Sequence, residues 1–159
     1  MSGNNKTLVL GLGNDILMDD GVGPKLMRVV AERYPYPDFD YDTAALGGME
    51  LIEMMRDYSR IIIIDAIMTR GGIPGAVYHL TPANFKETSH ISNLHDISFL
   101  TALKMAESLD IYISDKIDII AVEIVEDRVF GEEFTPELAA NYEETKTEVL
   151  AMIKELLGK

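Results

Sequence analysis

Cysteine is absent from this chain, which excludes a disulfide framework, a thiolate nucleophile, thiolate zinc sites and cysteine-bound clusters. No apolar run approaches the ~18 residues of a membrane span. Histidine is scarce, with three in the whole chain. Positive charge is scarce too: 14 Lys and Arg stand against 27 Asp and Glu, a formal net charge of −13. Such a chain repels phosphate backbones and anionic lipid, so neither nucleic acid nor a membrane surface is expected as a partner. The first six residues are polar and run straight into an apolar strand, without the charged head, apolar middle and cleavage site of a signal peptide. A cytoplasmic location is the expectation. Repeats, low-complexity tracts and linkers are also missing.

What is present is material for a core. Of 159 residues 47% are hydrophobic and 26% charged, which predicts one globular domain spanning 1–159. The run Thr7–Leu12 reads as a buried strand ending in glycine. A helix should follow from Pro24 to Tyr34, with Gly23 as its cap and proline at the first helical position. Asp40–Ala45 reads as a short strand and Gly48–Asp57 as a second helix. Arg60–Asp65 carries four consecutive isoleucines, the pattern of a parallel strand buried on both faces. Gly75–Leu80 is strand-like, an antiparallel edge. Pro82 to Leu94 reads as a polar loop or short irregular turn, Asp96–Leu109 as a helix and Asp118–Val125 as a strand. Thr135-Pro136 caps a long last helix with Leu138, Tyr142, Val149, Ile153 and Leu156 on one stripe. The alternation predicts an α/β fold: a three-layer domain, its twisted, mixed but mostly parallel sheet of about five strands covered by helices on both faces. In such sheets ligands bind beyond the carboxyl ends of the strands.

Candidate chemistry lies on three separate segments. The glycine loop Gly11-Leu-Gly13 invites a dinucleotide-binding reading, but Ile16 stands where the third glycine belongs and two aspartates would repel a pyrophosphate. Asp19 and Asp20 precede a helix; they either cap it or, with Gly23 as cap, leave Asp20 upstream with its carboxylate available. Asp65 closes the isoleucine strand and either caps the next turn, pairs with a cation such as Arg70, or binds something, since a buried charge is costly alone. Among the histidines, His79 falls in a strand, His90 in a loop, and His95 at the start of a helix. Asp20, Asp65 and His95 together offer two carboxylates and an imidazole, a set suited to zinc or nickel more than to calcium or magnesium.

The stretch Leu10-Gly-Leu-Gly-Asn14 to Met18-Asp-Asp-Gly-Val-Gly23 resembles the opening motif of the hydrogenase maturation proteases. Ile64-Asp65-Ala66 and Ser92-Asn-Leu-His95-Asp-Ile resemble the other two motifs of that family. The resemblance implies a cytoplasmic endopeptidase, aspartic-type or metal-assisted, that removes a short C-terminal extension from the precursor of a nickel–iron hydrogenase large subunit. It implies action only after nickel insertion, with nickel supplied by the substrate and no permanent cofactor. The family's metal-binding and catalytic positions fall on Asp20, Asp65 and His95. Some relatives carry glutamate at the first of these, one methylene longer than Asp20. Asp42-Thr-Ala-Ala-Leu-Gly-Gly48 departs from the family's usual turn, and Asp42 receives no role. The rival expectation is a nickel-dependent binding or chaperone protein that senses the loaded precursor without cutting it.

Overall fold

The computed structural model describes residues 5–45, 49–87 and 94–158, with backbone only for 85–87 and 94–98. Its strands are β1 (Thr7–Leu12), β2 (Phe39–Ala44), β3 (Arg60–Ile67), β4 (Val77–Leu80) and β5 (Ile117–Glu123). Its helices are α1 (Val22–Arg33), α2 (Met49–Met55), α3 (Pro82–Glu87), α4 (Leu94–Ser108) and α5 (Pro136–Leu157). The strands form one sheet in the order β2-β1-β3-β5-β4, in which only β4 is antiparallel. A mixed, mostly parallel sheet with helices on both faces is therefore the architecture, as the alternation predicts.

Each face of the sheet has its own core. Leu8, Leu10, Ile61 and Ile63 pack with Leu51, Ile52 and Met55 of α2 and Phe99, Ala102 and Ala106 of α4. Val9, Ile62, Ile64 and Ile120 pack with Leu26 and Val30 of α1 and Leu138, Val149 and Ile153 of α5. The four isoleucines of β3 thus divide between the cores by strand alternation. Each is worth ~1.5–3 kcal/mol when fully buried, which is why β3 occupies the middle of the sheet.

The order also sets where a crevice opens. From β1 the chain winds one way to β2 through α1, then returns across β1 to β3 through α2. Parallel crossovers share one handedness, so reversing direction places α1 and α2 on opposite faces. The reversal leaves a crevice at the carboxyl ends of β1 and β3, the place where open α/β sheets bind ligands.

Several boundaries differ from the sequence reading, each for a local reason. The chain forms a 3-10 turn at Met18–Gly21 that runs directly into α1, so Gly21 is the cap and Pro24 sits inside the first turn. Proline is tolerated there because none of the first N–H groups has an intrahelical partner. The polar segment after Pro82 begins with a short helix, α3, rather than a loop. Thr81 N–H donates to Asn84 Oδ1 (3.0 Å) and Asn84 N–H to Thr81 Oγ1 (3.4 Å), a reciprocal cap on a helix opened by proline. His90 lies outside the described residues. Thr135 caps α5 as expected, accepting from Leu138 N–H (3.4 Å).

The glycines of the first loop answer a packing demand. Gly11 and Gly23 face each other: a Cβ on Gly11 would lie 2.6 Å from the Gly23 carbonyl oxygen. A Cβ on Gly23 would collide with the Leu12 carbonyl and lie 2.6 Å from that of Ile64. Helix α1 therefore starts against the backbones of β1 and β3. For Gly23→Ala, helix propensity favours alanine by ~1 kcal/mol, whereas overpacking against fixed backbone costs ~1–3 kcal/mol or more. Calorimetry should show a melting temperature lower by several degrees; an equal or higher one would mean that α1 does not approach so closely.

Candidate functional site

Asp65 lies on β3, and Asp20 lies on the 3-10 turn that packs against that strand ahead of α1. Asp65 belongs to β3, which continues two residues beyond it to Ile67. Pairing between β1 and β3 stops at Gly11↔Ile64, whereas pairing with β5 continues through Asp65↔Ala121 to Ile67↔Glu123. Asp65 is thus the first residue of β3 beyond its ladder with β1. Alternation puts it on the same face as Ile63 and Ile67, the side of α2 and α4. It is 1% exposed, and its Oδ1 accepts from Ala66 N–H (2.8 Å).

Asp20 comes from the 3-10 turn, which packs against β3. It is also 1% exposed, and Asn14 N–H donates to its Oδ2 (2.8 Å). The carboxylate therefore sits within the fold just ahead of α1, not in a loop upstream of it. Gly13, at φ 145°, lets the chain turn close beneath the Asp20 carbonyl, where a Cβ would collide.

His95 falls in the first turn of α4, which begins at Leu94, two residues before the Asp96 start read from the sequence; its side chain lies outside the described ones. Since α4 ends where the chain leads to the amino end of β5, its first turn lies toward the carboxyl edge of the sheet. Among the described residues no three His, Asp or Glu side chains form a metal-ligand cluster, and the three-residue set cannot be complete there without His95.

The neighbouring aspartate has another task. Asp19 is fully buried. Its Oδ1 accepts from Thr135 N–H (2.7 Å), and its Oδ2 accepts from Val125 N–H (3.0 Å), Glu126 N–H (3.2 Å) and the Thr135 hydroxyl (2.8 Å). Backbone bonds run alongside, from Met18 N–H to Gly131 O (2.8 Å), Gly131 N–H to Ile16 O (2.9 Å) and Asp19 N–H to Glu126 O (3.1 Å). The segment after β5 is thereby fastened to the turn that carries Asp20.

Two further carboxylates at this edge were missed by the sequence reading. Glu123, 1% exposed at the end of β5, accepts from Thr69 N–H (2.7 Å), the Thr69 hydroxyl (2.6 Å) and the Tyr78 hydroxyl (3.3 Å). It holds the chain leaving β3, and Gly72 lies so close that a Cβ there would strike its carboxylate. The signal that singles out Asp65, an acid at the end of an apolar strand, applies equally to Glu123. Asp127 is pushed above the usual carboxylate range by burial and by the negative charge of Asp20 beside it.

His79 lies elsewhere. Its Nε2 is 2.8 Å from Asp118 Oδ1, and Arg60 Nη2 donates to Asp118 Oδ2 (3.0 Å). Burial works against ionisation of Asp118, but the hydrogen bonds from His79 and Arg60 prevail and hold its carboxyl below the usual range. The cluster belongs to the amino edge of the sheet, away from Asp65.

Among the described residues no helix is long and apolar enough to cross a membrane. A family profile described as hydrogenase maturation protease matches residues 43–152. The hydrogenase 2 maturation protease of Escherichia coli K12 is 30% identical, with 94% of this chain and 92% of that protein covered. The structure of the hydrogenase maturating endopeptidase HybD from E. coli is similar with a TM-score of 0.72 at 25% identity, covering 94% of this chain and 93% of that one. The [NiFe] hydrogenase maturation protease HybD from Thermococcus kodakarensis gives a TM-score of 0.69 at 28% identity, covering 97% and 99%. With a profile over most of its length and whole-chain likeness in both sequence and fold, this chain belongs to the hydrogenase maturation protease family.

Proposed function

We propose that the chain, acting as one domain over 1–159 in the cytoplasm, removes the C-terminal extension of a nickel-loaded hydrogenase large-subunit precursor. Asp20, Asp65 and His95 are assigned as the residues that complete coordination of the nickel ion the precursor carries. The observation that supports this reading best is a pair of buried carboxylates, Asp65 on β3 just past the end of its ladder with β1 and Asp20 on the turn that packs against β3.

Two carboxylates and an imidazole suit a borderline first-row ion, and the precursor's ion supplies Lewis acidity toward the scissile carbonyl. This chain's own part is to hold that ion at the sheet edge and to take a proton from the attacking water through a carboxylate. Because the ligand set is completed only when the metal arrives with the precursor, cutting becomes conditional on metal loading. An unloaded precursor would meet two neighbouring carboxylates without the cation that balances them.

The test is to incubate the protein with nickel-loaded and nickel-free precursor and follow loss of the extension by mass spectrometry. Cleavage confined to the loaded form is expected. Equal cleavage of both would remove nickel from the reading, and tight binding of the loaded precursor without cleavage would replace the protease with a sensor.

A further inference from the structure

The carboxyl edge of the sheet carries unusual apolar exposure. Phe130 is 78% exposed, Val129 52%, Ile16 46% and Val125 42%. Single exposed hydrophobics are normal on protein surfaces, whereas a contiguous group marks an interaction site. Here the residues come from segments tied together: Gly131 N–H donates to Ile16 O (2.9 Å) and Leu17 bridges Gly131, so the backbone that carries Phe130 runs beside Ile16, and Val125 N–H donates to Asp19 (3.0 Å) on the same turn. The group is also rigidly held. Asp19 anchors both ends of the segment from Val125 to Thr135, and Lys25 donates to the Glu132 carbonyl (2.9 Å) while lying 4.7 Å above the Phe134 ring. A phenylalanine exposed on a pinned segment loses little freedom when a partner covers it, the condition for a binding anchor.

The patch continues into the candidate site. Asp19 N–H donates to Glu126 O (3.1 Å) and Met18 N–H to Gly131 O (2.8 Å), so the segment that carries Val129 and Phe130 is tied at both ends to the turn that carries Asp20. Acids outnumber bases within the segment: Glu126, Asp127, Glu132 and Glu133 flank the apolar residues against Arg128, with Lys25 engaged by the Glu132 carbonyl and Arg28 paired with Asp15 (2.6 Å). We propose that Ile16, Val125, Val129 and Phe130 form the surface on which the precursor's C-terminal region docks beside Asp20, through an apolar side chain flanked by Lys or Arg. The assignment rests on the protease reading above. It adds a specificity surface, in which apolar contact anchors the segment and acidic neighbours select its charge.

The test compares wild-type protein with Phe130→Ala and with Tyr112→Ala, which removes another exposed aromatic ring on the segment before β5, at the opposite edge. Steady-state cleavage of the nickel-loaded precursor should show KM raised ~10-fold or more in Phe130→Ala, with the loss in kcat/KM carried by KM. Tyr112→Ala should match wild type, and melting curves should coincide because both side chains are exposed. Raising ionic strength about tenfold should raise the wild-type KM several-fold as the acidic rim is screened. A KM for Phe130→Ala within about twofold of wild type overturns the docking surface, and a salt-independent KM overturns its choice of a basic partner. If the wild-type protein cuts nothing, the protease reading fails by itself, and calorimetric titration of the same precursor into both proteins decides the surface. Weaker binding by Phe130→Ala then supports it; equal binding, or none by either, overturns it.

Discussion

Asp65→Asn should abolish processing of the nickel-loaded precursor while leaving the fold intact. An amide has the shape of the carboxylate and keeps an oxygen to accept the Ala66 N–H, now 2.8 Å from Oδ1. It lacks the negative charge, which serves both as hard donor to a cation and as acceptor of a proton from water. Loss of a general base costs ~10²–10⁴-fold in rate, and loss of a ligand in a three-residue set acts in the same direction. Asp20→Asn should behave alike, and His95→Ala tests the residue assigned through the family motif. If the three act as one unit, the double variant Asp20→Asn/Asp65→Asn should be barely slower than either single one. Product mass spectrometry gives the rates and calorimetry the melting transition. An active Asp65→Asn with an unchanged transition would remove this residue from the mechanism.

Asp19, next in the chain to Asp20, should give the opposite result. Asp19→Ala takes away the acceptor for three backbone N–H groups and one hydroxyl. Removing one side of a buried charged hydrogen-bond network costs ~3–5 kcal/mol, because the stranded donors retain their desolvation cost. In a chain of this size each kcal/mol lowers the melting temperature by ~2–4 °C, so a drop of roughly 10 °C is expected. Asn is no remedy. Oδ1 and Oδ2 both accept here, and an NH₂ group in either place would point donors at donors. Asp19→Asn should therefore lose most of the same stability, which a role limited to filling space would not produce. Thr135, the cap of α5, is one of the partners, so the start of α5 should loosen with the turn. Denaturant titration of both variants measures the loss, and a shift below about 1 kcal/mol would show that the clasp is dispensable.

This pair of residues marks how far the sequence reaches. Composition and spacing single out Asp19 and Asp20 as acids ahead of a helix, but neighbouring identical residues have no separate signal. Their difference comes from residues more than a hundred positions away: Val125, Glu126 and Thr135 lie against Asp19. The segment after β5 has no periodicity that would reveal such a role. Asp65 stood out because a charged group abuts four isoleucines, and the same rule applied to the end of β5 would have flagged Glu123. Helix α3 was concealed by polar composition, although Thr81-Pro82 and Asn84 carry the cap and first-turn residues that announce a helix.

The sequence by itself determined the elements and the fold class, because burial on one face or two leaves its mark on residues close together in the chain. It also determined the membership in a family, since the glycine loop, the isoleucine strand ending and the histidine segment occur in order. Only the tertiary structure decided that β1 and β3 lie side by side with their ladder ending at Ile64, that the turn carrying Asp20 packs against the strand carrying Asp65, and that Asp19 clasps the segment after β5. Those are pairings between distant segments, chosen by packing of the whole sheet between its two helical layers, and no local pattern of residues encodes which strand becomes the neighbour of which.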